Sequence, residues 1–175
     1  MRKLFQYGGI AASVILIAFG AGSIYMGIDG RNYVRENLRA EQIVGTEDSK
    51  IPGQLVDTGE EAKAFAEVMR EHTLEATGGQ TYAQMGRFLD EQGNATNDEK
   101  AAAIDEETGK PVENGLRNMW VTATALTTAL NTAYFAEQVG LFAIVMGVAL
   151  LLAGIGFGVL SLKLLNPERQ PAAAA

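Results

Sequence analysis

The stretch Leu116–Leu162 decides the architecture. It opens as LRNMWVTATALTTALNTAYFAEQ (116–138) and passes, without proline or turn signal, into the uncharged run VGLFAIVMGVALLLAGIGFGVLSL (139–162). Residues spaced three and four apart form one stripe through both halves: Leu116, Met119, Ala123, Leu126, Leu130, Ala133, Glu137, Gly140, Ile144, Gly147, Leu151, Gly154, Gly158 and Ser161. A seven-residue repeat of this kind is a helix-packing seam. The seam is apolar in its first half and glycine-rich in its second. The stretch therefore reads as one long helix that leaves a protein domain and enters a bilayer.

Working outward, the other apolar run lies at the start of the chain. Gly8–Ile28 carries no charge, and its 21 residues span about 31 Å as a helix, enough for a hydrocarbon core of about 30 Å. The rival reading is a cleaved signal peptide, with Arg2 and Lys3 as the basic start and Ala18 and Gly20 as small residues near a cleavage point. The apolar character continues through Ile24, Met26 and Ile28, longer than a signal needs, which favours a retained span. This first span has its own small-residue stripe, Gly9, Ser13, Gly20, Ser23 and Gly27, continuing to Gly30 just beyond it. The second offers Gly140, Gly147, Gly154 and Gly158. Small residues let helix backbones approach closely in lipid, so both stripes are candidate packing faces, for each other, for a second copy or for another membrane protein.

The segment between the spans is strongly acidic. Asp29–Glu137 holds 20 Asp/Glu against 10 Lys/Arg, net −10, within an overall charge of −7. That balance excludes nucleic acid and argues against an anionic surface as partner of this segment. The chain has no cysteine, which removes disulfides, thiolate nucleophiles and cysteine-based metal sites. Arg2, Lys3, Lys163 and Arg169 flank the spans at the two chain ends, against Arg31, Arg35 and Arg39 beyond the first span. The expected topology puts 1–7 and 163–175 in the cytoplasm, 8–28 and 138–162 in the plasma membrane, and 29–137 outside as an acidic domain.

Local signals make that domain helical. The first helix continues through RNYVRENLRAEQIV to a stop at Gly45, with Arg31, Arg35 and Glu36 on its solvated side and Val34, Leu38 and Ile43 on its packed side. Pro52-Gly53 marks a turn. Thr58 with Glu61 is a capping box opening a helix whose apolar face is Phe65, Val68, Met69 and His72, ended by Gly78-Gly79. Thr81 with Gln84, and Thr96 with Glu99, suggest two further short helices. No stretch alternates long enough to predict a strand. The expected fold class is all-α: a two-helix transmembrane hairpin carrying a small helical bundle.

The strings EQIVGT (41–46), LEATGGQTYAQMGRFL (74–89), TNDEKAAA (96–103) and GKPVENGLRNMWVTATALTTALNTAYFAEQV (109–139) resemble an uncharacterised actinobacterial family of small two-span membrane proteins. Members of that family are often labelled automatically as an aromatic ring-opening dioxygenase subunit. Extradiol ring opening needs iron held by two histidines and a carboxylate. This chain has one histidine, His72, so it cannot supply that triad alone.

No other constellation points to catalysis, a cofactor or a metal. Glu67, Glu71 and Glu75 line one helical face beside His72, in the order His-x-x-Glu, and occur once, unlike the paired Glu-x-x-His of di-iron bundles. Asp90–Asp98 lacks the glycine and the closing glutamate of a calcium loop. Trp120 reads as a domain-core aromatic. Glu137 stands out, because it occupies a seam position one turn before the second span. It is expected to pair with Arg31 and fix the register of the two helices. The expected function is non-enzymatic: an envelope protein acting through association with itself or a membrane partner. A sensory or ligand-binding module is the alternative, and a metal-dependent oxygenase is the reading with least behind it.

Overall fold

The computed structural model describes residues 2–164, so the tail beyond Leu164, including Arg169, lies outside the described residues. The chain is mostly helical, with three helices. Helix α1 covers Arg2–Ala40, α2 covers Gly59–Ala76, and α3 covers Gly115–Val159, closing in a π-helical turn at Leu160–Leu164. Two short strands, β1 (Phe88–Leu89) and β2 (Ala95–Thr96), pair antiparallel between α2 and α3. The structure falls into two compact units. One is built on α1 up to Arg35 and on α3 from Ala136 onward, and the other is Glu36–Phe135.

In the first unit, both helices are long and apolar enough to cross a membrane. Only 11% and 17% of their most apolar windows are buried within the chain. The core helix of a soluble protein would be mostly covered, and these are not. Phe19, Met26, Phe142 and Leu152 are among the large apolar side chains that stay exposed, at 65–72%.

In the second unit, the sequence expectations hold where side chains cap a helix and fail where they make turns. At the start of α2, the Thr58 side chain accepts from Glu61 N–H and the Glu61 carboxylate accepts from Thr58 N–H, the reciprocal capping box. The buried face of α2 is Ala62, Ala66, Val68 and Thr73. His72, placed on the apolar face from sequence, is exposed. Helix α1 stops at Ala40 rather than near Gly45, and Gln42 takes a left-handed φ of 53°. Residues 43–56 fold back on themselves through Gly45 N–H to Gln54 O and Val56 N–H to Ile43 O, both 2.8 Å. Val56 and Ile51 are buried beneath. A Cβ on Gly45 would collide with the Ile51 carbonyl. Gly53 sits at φ 67°, as the Pro-Gly turn requires.

The two short helices expected after Gly79 are absent. Gln84 accepts from Thr81 N–H and holds a single turn. Thr96 Oγ1 accepts from Asp98 N–H and Asp98 Oδ1 from Lys100 N–H, both 3.0 Å. The residues that would cap a helix instead satisfy the backbone in local turns, and a helix of so few residues has little of its own to oppose that. Phe88 and Leu89 form the strand that sequence reasoning did not find. Leu89 bonds through N–H to Val112 O and through O to Ala103 N–H, while Asn114 N–H reaches Arg87 O. Gly86 is required there, because a Cβ would come within 2.5 Å of Thr96 N. Asn114, buried, then caps α3, its Oδ1 accepting from Leu116 N–H at 3.1 Å.

Candidate functional site

The glycine and serine stripes face each other. A Cβ on Gly20 would lie 2.7 Å from Gly147 O, and one on Gly27 would lie 2.6 Å from Gly140 O. Ser13 Oγ donates to Gly154 O at 2.7 Å and would also be met by a Cβ on Gly158. Gly9 lies against Ser161. Each step of seven along α3 (Gly140, Gly147, Gly154) is matched by a step of seven back along α1 (Gly27, Gly20, Ser13). The backbones touch at these points, where any larger residue would part them. Ser23 departs from the expected face: with Ala18, Phe19, Gly22 and Met26 it lines a shallow cleft on α1. Gly22 and Gly8, off the stripe, have open space around them.

Glu137 ends the glycine seam and is 4% exposed. Its Oε1 accepts from Arg31 Nε at 3.2 Å and Nη2 at 3.0 Å, and from Arg35 Nε at 2.7 Å. Arg35 Nη2 lies 2.5 Å from the same oxygen. The expected pair is therefore a three-residue cluster, in which Arg31 is the expected partner, and Arg35, expected on the solvated side, is 35% exposed and joins it. Arg35 was missed although it extends the α1 stripe, Gly27–Arg31–Arg35, by one more turn. A buried carboxylate needs such partners, since an unpaired one would cost several kcal/mol, of the order of 3–5 on removal of a partner. Arg39, a further turn on, pairs with Asp57 at 2.9 Å in the other unit.

In the Glu36–Phe135 unit, Trp120 is buried and the Arg70 guanidinium lies 5.5 Å from its ring centroid. Tyr82 is covered by Arg117 at 4.1 Å. Trp120 borders a cleft of about 10 Å³, below ligand size. The upper seam follows expectation at Leu130, which is buried, and differs elsewhere: Leu116, Met119 and Leu126 are 37–46% exposed, while Trp120, off the seam, is buried. Met119, Ala123 and Leu126 line instead an open groove of about 350 Å³ with Met69, Thr73 and Ala76 of α2, and His72 at its side. His72 Nε2 pairs with Asp48. That hydrogen bond raises the His72 pKa above its ordinary value, with Glu75 and Glu71 adding to it, and it lowers that of Asp48. Asp90 accepts from Gln92 and Asn94 N–H, so its carboxylate closes a turn and its pKa is held down by those donors. Among the described residues no three His, Asp or Glu side chains gather as a metal-binding group.

Comparison with protein-family models, with curated proteins and with solved structures finds no match to this chain. The reading of function rests on its own geometry. That geometry offers apposed helices sealed by an ion cluster, and an open apolar groove.

Proposed function

We propose that this chain is a two-pass integral protein of the plasma membrane, with spans 8–28 and 138–162 joined as an antiparallel hairpin. Both ends are cytoplasmic, and the acidic domain 29–137, a small helical assembly, lies outside. It acts without catalysis, by associating with a second copy or a membrane partner. The observation that carries this reading is the division of the apolar helices into two faces: small residues matched to one another, and large apolar side chains left to the surroundings. The orientation is supported by the pairing of the three arginines that oppose it, Arg31 and Arg35 with Glu137 and Arg39 with Asp57. The resemblance to a two-span family points the same way.

With the glycine faces occupied, association falls to the outward faces and to the Met69–Leu126 groove. Purification of the full chain in mild detergent tests this. A defined oligomer or a stoichiometric partner, lost on Met119→Glu or Leu126→Glu, is the expected result. A lone monomer from native membranes would overturn it. The second reading, a ligand-binding sensory module, is favoured by the same groove with His72 at its side. A small apolar ligand retained there, with no protein partner, would support it instead.

A further inference from the structure

We propose that Arg31 and Arg35 together hold the phosphate of a phospholipid headgroup, an inference that rests on the membrane-spanning reading above. Charge stoichiometry is the first argument. Two guanidinium groups converge on one carboxylate oxygen, which leaves the cluster with a surplus positive charge. Exposure is the second. The Glu137 side chain is 5% exposed, whereas those of Arg31 and Arg35 are 27% and 35% exposed. The carboxylate is sealed in, while the two arginine side chains stay partly exposed, and each planar guanidinium has more N–H donors than the Nε and Nη2 it turns to Glu137, a donor set that suits phosphate oxygens.

Depth is the third argument. Ile28 ends the uncharged run, so Arg31 and Arg35 lie roughly 4.5 and 10 Å further along α1. A headgroup layer extends about 5–8 Å beyond the hydrocarbon core, so the pair brackets the phosphate level. Tyr25 and Tyr33, 71% and 67% exposed, flank it as interfacial rings do. The remaining charges of this stretch, Asp29 and Glu36, are exposed on α1. Their offsets of two residues from Arg31 and one from Arg35 turn them about 160° and 100° away around the helix. The net −10 of the acidic segment disfavours anionic lipids as a class, so the recognised group is the phosphate itself and not the net charge of the lipid.

The test uses the full chain reconstituted in vesicles of equal phosphatidylcholine and a phosphate-free galactolipid, both net neutral. Retained lipid is counted by native mass spectrometry after mild extraction. The wild-type chain is expected to keep one phosphatidylcholine, enriched about fivefold over the galactolipid. Arg35→Gln leaves Arg31 and Glu137 as a neutral pair and is expected to abolish the enrichment, while Arg35→Lys keeps part of it. Equal retention of the two lipids by the wild type overturns the proposal, and this comparison stands even if a variant fails to fold. So does an unchanged enrichment in both Arg31→Gln and Arg35→Gln with helical circular dichroism preserved. Inorganic phosphate that displaces the bound lipid at millimolar concentration would assign the site to a free anion and overturn the lipid source. Extraction of the chain from vesicles by alkaline carbonate would instead sink the membrane-spanning reading itself.

Discussion

Two parts of α3 carry the same seven-residue pattern and use it differently. From Ala136 onward the pattern positions Gly140, Gly147 and Gly154 are buried against α1. Between Gly115 and Phe135 the pattern position Leu130 is buried, but Leu116, Met119 and Leu126 stay more than a third exposed, and Trp120, off the pattern, is buried in their place. The difference lies in what each half meets. The glycine half faces a helix of matching period, so every repeat finds a contact. The other half shares its unit with α2, which buries Ala62, Ala66, Val68 and Thr73, and with the irregular 77–114 segment. Periodicity in a sequence thus fixes which residues share a face. The partner decides whether that face is covered.

The largest way to break the comparison is to fill the glycine contact. Gly20→Leu should destabilise the first unit by about 3 kcal/mol or more, because neither backbone at that contact can give way cheaply. Gly22→Leu, two residues away in open space, should stay within about 0.5 kcal/mol. Thermal unfolding in detergent, followed by far-UV circular dichroism, measures both. Equal effects would show that the seam is not where the helices are held.

Glu137→Gln comes next, at about 2 kcal/mol, since it replaces ion pairs by hydrogen bonds to an uncharged amide oxygen and leaves two arginines without a counter-charge. Unchanged thermal stability in detergent would refute the register role of this residue. In the other half, Leu130→Ala should cost about 2 kcal/mol, and Leu126→Ala less than about 1 kcal/mol in the unassociated chain. The chain has a single tryptophan, so Trp120 fluorescence reports this unit alone.

The smallest effect is that of pH on the 43–57 fold-back. The folded pKa of His72 is raised by its bond to Asp48. Its contribution is therefore fully present below the ordinary histidine value of about 6.5 and is lost as pH rises through the raised value. Asp48, whose pKa is lowered, contributes above its own ordinary range and loses that contribution in acid. Hydrogen exchange at Asp48 and its neighbours, corrected for intrinsic rates, should be more protected at pH 6 than at pH 8. Asp48→Asn should erase the difference, and a difference that persists would assign it to another group.

Much of this was legible in the sequence because it depends on local order. The two long apolar helices follow from uninterrupted runs without proline, and the α2 start from Thr58 and Glu61. The facing glycine stripes follow from spacing, though spacing alone left open what they would meet. The three-residue cluster was half legible: Glu137 breaks an apolar pattern and so draws notice, whereas Arg35 looks like any solvated arginine until its face is counted from Gly27. The β1–β2 pair was not legible, since strands of two residues are defined by their pairing, Phe88 with Thr96 and Leu89 with Ala95, and are too short to show any alternation of their own. Asn114 gave a usable signal for the start of α3, an Asn immediately before the long helical period.

The spacing of the α1–α3 contacts has a mechanical consequence. The teeth of this seam are small residues recurring every seven positions, so the nearest offset at which both helices would again mesh lies one full repeat away, about 10.5 Å along the axis. Ile24 already lies beside Gly147, so a shift of a single turn would take it off the glycine that makes room for it and toward Ile144 or Leu151. The pair therefore resists piston motion as a ratchet does, and any movement these helices pass on is a rotation or a tilt.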